Sequence, residues 1–136
     1  MTDPEAVAFI DTNVLVRHLT GDPPEMAVRA TSHLRGMQAL LLLDVITAEV
    51  VFVLESYYQL PRADIAVTIR SMLALPSIRV VDADVLLRAV EVYERDRLDF
   101  AEAYLVATAE RSGLGVIASF DRSIDRVATV RRIEPA

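Results

Sequence analysis

The sequence predicts an α/β protein built on a parallel sheet. Short apolar runs alternate with helical patterns along its 136 residues, and this alternation is typical of βαβ units. The first run, Val7–Ile10, has four apolar residues and leads directly into Asp11. An uninterrupted apolar run predicts a strand buried on both faces, as in parallel sheets. A chain of this length fits a single domain, residues 1–136.

The elements can be placed in order from their boundaries. The predicted strands are 7–10, 40–45, 78–81, 115–118 and 130–133. The predicted helices are 14–19, 24–35, 48–59, 62–75, 83–95 and 100–112, and residues 121–126 form a turn or short helix. Pro24 and Pro61 mark helix starts, because the first turn leaves backbone N–H groups unpaired in any case. Gly36 and Gly113 mark helix ends, and Thr47 is expected to cap the third helix.

Composition excludes several classes of protein. The chain has no cysteine, and all 14 basic residues other than histidine are arginine. Without lysine it cannot form a P-loop, and phosphatases or receivers that support a first-strand aspartate with lysine are disfavoured. The first residues, Met1–Glu5, lack the positive charge of a secretory signal. Apolar runs are shorter than the ~20 residues of a membrane span, so we expect a cytoplasmic protein with no membrane partner.

Acidic residues follow or precede the strands at places that share one sheet edge. Asp11 ends the first strand, and Glu49 lies in the first turn of the helix after the second strand. Asp99 and Glu102 open the helix before the fourth strand, and Asp121 follows that strand. Ligands of open α/β sheets bind outside this edge. Oxygen ligands select a hard cation, so the pattern predicts a Mg²⁺ or Mn²⁺ site.

Each acid also has a structural interpretation. Asp11 can cap the helix after it, and Glu49 is favoured near a helix N-terminus by the dipole. Asp99 and Glu102 have the spacing of a capping box, and Asp121 can be a turn residue. We expect the metal site nevertheless, with at least one of Asp99 and Glu102 as a ligand.

Polar neighbours are candidates to orient these acids. Thr12 or Asn13 would hold the Asp11 carboxylate or a metal-bound water, and Ser119 would act in the same way near the fourth strand. Both histidines lie in predicted helices away from the acids, where a solvated or capping role is expected.

Four motifs now resemble a known family. They are Asp11-Thr12-Asn13, Thr47-Ala48-Glu49, Asp99-Phe100-Ala101-Glu102-Ala103 and Ser119-Phe120-Asp121. In this order, over residues 9–135, they resemble the PIN domain, and the small size resembles the VapC toxins of type II toxin–antitoxin systems. The resemblance implies a three-layer α/β/α sandwich with a mostly parallel five-stranded sheet. It also implies a Mg²⁺- or Mn²⁺-dependent endoribonuclease, a homodimer, and a VapB-type antitoxin whose C-terminal segment crosses the active-site groove.

The resemblance assigns catalytic and metal-binding roles to individual acids. The family's first, second and fourth acids correspond to Asp11, Glu49 and Asp121. The third is usually aspartate where this chain has Glu102, and the added methylene moves the carboxylate oxygens by about 1 Å, which matters for octahedral Mg²⁺. Asp99 would then carry more of the ligation. The implied reaction is in-line attack of a metal-activated water on an RNA phosphodiester.

Two hypotheses of function remain. In the first, the chain is a ribonuclease toxin, and arginines near the acids hold RNA phosphates or are simply solvated. These arginines are Arg17, Arg95, Arg97, Arg122 and Arg126. In the second, the chain is a catalytically weak PIN-like module that binds a protein partner through the apolar helices of residues 48–75.

Overall fold

The computed structural model describes residues 6–136 and has the predicted α/β class. Its strands are Val7–Phe9 (β1), Ala39–Leu41 (β2), Ile78–Arg79 (β3), Val116–Ala118 (β4) and Arg131–Ile133 (β5). Its α-helices are Thr12–Thr20 (α1), Pro24–Gly36 (α2), Asp44–Ser56 (α3), Arg62–Leu73 (α4), Ala83–Arg95 (α5) and Phe100–Ser112 (α6), and a 3₁₀ helix covers Arg122–Arg126. The described chain forms two compact units, which divide after Val81.

The first unit contains a three-stranded parallel sheet in the order β1-β2-β3. Val7 pairs with Ala39, and the ladder extends past the strand ends, because the N–H of Ile10 donates to the carbonyl of Leu41 at 3.1 Å. Parallel pairing brings the carboxyl ends of β1 and β2 to one edge. Helices α1 and α3 begin directly after these strands, so their first turns lie at that edge.

Apolar side chains from the sheet and four helices form the core of the first unit. The largest fully buried ones are Leu15, Leu40, Leu42, Leu54, Ile65, Ile69 and Met72. Helix α1 packs against α2, α3 and α4, so its position is fixed on several sides. Helix α3 is not buried all round, since Phe52 is 65% exposed and Val45 is 67% exposed.

The second unit contains the parallel pair β4-β5 and the packed helices α5 and α6. The rings of Tyr93 and Phe100 make an edge-to-face contact at 6.1 Å between these helices. Helix α6 ends at Gly113, which adopts a left-handed conformation (φ +79°) that glycine tolerates best. The predicted bounds of α5 and α6 match the structure residue for residue.

Two features predicted from the sequence need correction. The strands are hydrogen-bonded as a three-stranded and a two-stranded sheet, because each strand is only two or three residues long and its ladder is short. Thr47 does not cap α3, since the helix begins one turn earlier with Leu43 at its N-cap. The Thr47 hydroxyl is instead buried and has no hydrogen-bond partner within residues 6–136.

No helix in the described part of the chain is long and apolar enough to span a membrane.

Candidate active site

Asp11 and Glu49 are linked by Thr12 in the first unit. Asp11 follows β1 as the N-cap of α1, and its Oδ1 accepts the backbone N–H of Thr12 at 2.8 Å. The hydroxyl of Thr12 donates to Oε2 of Glu49 at 2.7 Å. Because Thr12 is only 8% exposed and β-branched, its side chain has little freedom. Thr12 therefore fixes the separation of the two acids.

Glu49 comes to this point from the second turn of α3, not from the first turn that the sequence predicts. The helix begins at Asp44, shortly after the last backbone hydrogen bond of the β2 ladder, in which the N–H of Leu42 donates to the carbonyl of Arg79 at 2.8 Å. Glu49 then shares a helix face with residues one and two turns later, which are Val53 and Tyr57.

The carboxylates of Asp11 and Glu49 line a groove with a volume of about 340 Å³. Asn13, Arg17 and Tyr57 also line this groove. Asp11 and Glu49 are both exposed. Within residues 6–136, Oδ2 of Asp11 and Oε1 of Glu49 accept no hydrogen bond, so each carboxylate keeps one oxygen available for a ligand.

Glu102, Asp121 and Ser123 form a second acidic cluster, in the second unit. Oδ1 of Asp121 accepts the backbone N–H of Ser123 at 2.9 Å as the N-cap of the 3₁₀ helix. The hydroxyl of Ser123 donates to Oε2 of Glu102 at 3.2 Å. The carboxyl groups of Glu102 and Asp121 also hydrogen-bond to each other.

This contact couples the pKa values of the two carboxyl groups. The hydrogen bond with Asp121, followed by burial and by the negative charge of Asp121, raises the pKa of Glu102. The same hydrogen bond, together with the N–H and hydroxyl of Ser123, lowers the pKa of Asp121 to about 2. Two close carboxylates cannot both ionise freely. Glu102 therefore retains its proton to a higher pH than Asp121 does.

Asp99 is the N-cap of α6, but its side chain makes no capping hydrogen bond. The capping box that its spacing with Glu102 suggests is therefore not formed by Asp99. Its carboxylate is exposed, and its charge contributes to the raised pKa of Glu102. The carboxylate of Asp99 thus lies beside the second cluster and accepts no hydrogen bond within residues 6–136.

The neighbouring polar residues differ from expectation. The hydroxyl of Ser119 accepts the backbone N–H of Asp121 at 2.9 Å, so it orders the loop and does not contact the carboxylate. Asn13 is exposed and lines the groove of the first unit. Sequence reasoning missed Ser123, although Asp121-x-Ser123 has the spacing of a local Asx turn.

Two of the arginines proposed for RNA binding have contacts within the protein. Nη1 of Arg126 donates to the carbonyls of Asp96 and Arg97, at 3.3 and 3.1 Å, and so holds the turn before α6. Arg95 pairs weakly, at 3.9 Å, with a glutamate of its own helix. Arg97 occupies that turn with φ +60°.

Arg122 and Arg17 form no ion pair in the part of the chain that the structure describes. Arg122 is exposed at the start of the 3₁₀ helix. Arg17 is partly buried and lines the groove beside Asp11 and Glu49, and in the second unit the charge of Arg126 contributes to the lowered pKa of Asp121.

The donor chemistry of both clusters suits a hard divalent cation. The groups available are carboxylate and hydroxyl oxygens, which Mg²⁺ and Mn²⁺ prefer. In residues 6–136, no group of three or more acidic or histidine side chains is arranged to hold a metal. The acids occur as one pair in each unit, with Asp99 near the second pair.

Comparison with known proteins gives matches that span most of the chain. The family model for the PIN domain matches residues 8–130. A solved structure, the crystal structure of VapBC2 from Rickettsia felis bound to a DNA fragment from their promoter, has 10% sequence identity and a TM-score of 0.38; the alignment covers 94% of this chain and 98% of that chain. No curated protein sequence matches the chain.

Proposed function

This chain belongs to the PIN domain family, and from that premise we propose that it is a Mg²⁺- or Mn²⁺-dependent endoribonuclease, the toxin of a VapBC-type toxin–antitoxin system. The family that the sequence resembles is confirmed by the match over residues 8–130. PIN domains are generally nucleases, and they generally use divalent metal ions. The RNA substrate, the metal and the toxin role are parts of the proposal.

The bridge between Asp11 and Glu49 is the observation that carries the proposal. Two exposed carboxylates are usually kept apart by their charge, yet Thr12 holds both at the mouth of one groove. A buried residue that donates to each of two acids is typical of a site that orients metal ligands. The free oxygens of these acids support binding of a cation in the groove.

The proposed metal ligands are Asp11 and Glu49 in the first unit, and Asp121 with either Asp99 or Glu102 in the second unit. When bound, a divalent ion would lower the pKa of a water molecule and neutralise charge on the phosphodiester. Thr12 keeps the first two carboxylates oriented. Asp121 would contribute an anion, because its pKa is lowered to about 2, and a cation held beside Glu102 would oppose the rise in the Glu102 pKa.

Cleavage of a structured RNA with Mg²⁺, Mn²⁺ or EDTA tests this function directly. We expect cleavage with either metal, none with EDTA, and a loss on the order of 10²–10³-fold in Asp11→Ala. Asp64→Asn removes an exposed acid from α4 and should cleave like the wild type. Folded protein that cleaves no RNA with any metal would contradict the nuclease proposal.

The exposed apolar residues of α3 and α4 support the second hypothesis, a partner-binding role. Phe52, Tyr57 and Val67 are 65%, 75% and 59% exposed, and exposed apolar patches commonly mark protein interfaces.

We propose that a second copy of the chain covers this surface and that a VapB-type antitoxin also binds the protein. Phe52→Ser should lower the mass measured by light scattering from dimer to monomer. An unchanged mass would exclude this surface from the dimer.

A further inference from the structure

A second cavity in the first unit is lined by cationic and uncharged side chains. It has a volume of about 450 Å³ and lies where α1 packs against α2. Its polar lining is Asn13, Arg17, Arg29 and His33, and Val14 and Met26 contribute apolar surface. No described carboxylate lines it, although the chain has a net charge of −6. The cavity therefore has the opposite charge from the protein as a whole.

Helix geometry explains how the cationic side chains come together. Asn13 and Arg17 are four residues apart on α1, and Arg29 and His33 are four apart on α2, so each helix presents one polar pair on one face. Within residues 6–136, Arg17 and Arg29 have no ion pair. By contrast, Arg88 in the second unit is bound to two glutamates. The charge of the cavity is thus not used to stabilise the fold.

The cationic cavity adjoins the acidic groove. Asn13 and Arg17, which belong to α1, line both the cavity and the groove. An anion bound in the cavity would therefore lie next to the groove that contains Asp11 and Glu49. We propose that the cavity is a phosphate subsite, in which Arg17 and Arg29 bind a backbone phosphate of single-stranded RNA; this inference rests on the proposed nuclease function.

A phosphodiester fits this position better than an acidic peptide. Guanidinium groups bind phosphate oxygens in bidentate geometry. A peptide that continued into the groove would place carboxylates against Asp11 and Glu49. In an RNA strand, the neighbouring phosphate would share the divalent cation that the same acids are proposed to hold, which removes the repulsion.

Binding of fluorescein-labelled single-stranded RNA in EDTA tests the subsite without catalysis. We expect Arg29→Gln to weaken binding on the order of tenfold, and Arg17→Gln with Arg29→Gln to weaken it further. The slope of log K against log salt concentration should fall by about 0.7 for each lost phosphate contact. Arg35→Gln is the matched control, because Arg35 is exposed on another face of α2 and should bind like the wild type. Thermal melting confirms that the variants fold.

The outcomes separate this inference from the nuclease proposal. If Arg29→Gln and the double variant bind RNA like the wild type, the subsite is overturned. The nuclease proposal, which metal-dependent cleavage tests, would still stand. Wild-type protein that binds RNA through these arginines but cleaves none would retain the subsite and contradict the nuclease. A decaglutamate peptide that binds more tightly than the RNA and depends on Arg29 would assign the cavity to an acidic protein segment and overturn the RNA assignment.

Discussion

The two acidic clusters separate like charges in different ways. In the first unit, Thr12 lies between Asp11 and Glu49 and donates a hydrogen bond to each through a different group. In the second unit, Glu102 and Asp121 interact directly, and this contact raises the pKa of Glu102 and lowers the pKa of Asp121. The first pair is joined through a hydrogen-bond donor, Thr12. The second pair has no such donor between its two carboxyl groups, so we expect the two clusters to respond differently to pH and metal.

The largest expected effect distinguishes the two glutamates. Glu49→Gln should lower RNA cleavage by about 10²–10³-fold, because it removes one of the two carboxylates that Thr12 holds at the groove. Glutamine resembles the uncharged acid form that the raised pKa of Glu102 favours, so we expect a smaller loss in Glu102→Gln and an unchanged melting temperature. Single-turnover rates and thermal melts of both variants measure this. Equal losses would mean that the raised pKa of Glu102 has no bearing on which acid matters more.

The next effect distinguishes two buried threonines of the first unit. Thr12→Val removes the hydroxyl that donates to Glu49 and should lower activity 10–100-fold, as for other residues that orient metal ligands. Thr47→Val removes a buried hydroxyl without a described partner, so it should leave cleavage unchanged and stabilise the fold by up to about 1 kcal/mol. Cleavage rates and urea unfolding are the measurements. An equal loss of activity in Thr47→Val would contradict a specific role for the Thr12 hydroxyl in orienting Glu49.

A third acid, Glu110, accepts hydrogen bonds from an arginine and from the hydroxyl of Thr129. Arg88 donates to both of its oxygens, at 2.8 and 3.0 Å, and this bidentate contact lowers the pKa of Glu110. The contact contributes stability above pH 4.5 that is lost as the pH falls through the lowered pKa. Glu110→Gln should lower the free energy of unfolding by about 1–2 kcal/mol at pH 7, with unchanged cleavage. Urea unfolding at pH 7 and pH 3 checks both the size and the pH dependence.

The smallest effect is a change in one pKa. Asp121→Asn removes the anion beside Glu102, so the raised pKa of Glu102 should fall towards its ordinary value of 4.5. In the wild type, the raised pKa favours the folded state at low pH, and that contribution is lost as pH rises through it. NMR titration of the Glu102 carboxyl in metal-free protein measures the change. A Glu102 pKa that stays raised would attribute the shift to burial.

Most of the fold was predictable because the apolar patterns are strong. Helices α5 and α6 have clear caps and an apolar face each, and their predicted bounds are confirmed. The start of α3 was misplaced because residues 42–45 combine apolar side chains, typical of a strand, with Asp44, which is favourable in a first helical turn.

The candidate site was only partly predictable. The position of Asp11 after β1 follows from the local sequence and is confirmed, while the catalytic role of each acid stays a prediction. The contact of Ser123 with Glu102 joins residues 21 positions apart, and the cationic cavity depends on how α1 packs against α2. Such contacts arise from tertiary packing, which local patterns do not encode.

Helix α1 is capped at both ends, and this has a consequence for redesign. Asp11 closes its N-terminus, and Gly21, with φ +71°, closes its C-terminus. A helix of nine residues held in this way has a fixed length and phase, so inserting one residue would rotate everything after it by about 100°. Arg17 would then leave both cavities while Asp11 stayed in place. Exchange of side chains, with the length of α1 kept constant, is therefore the practical way to alter what the groove recognises.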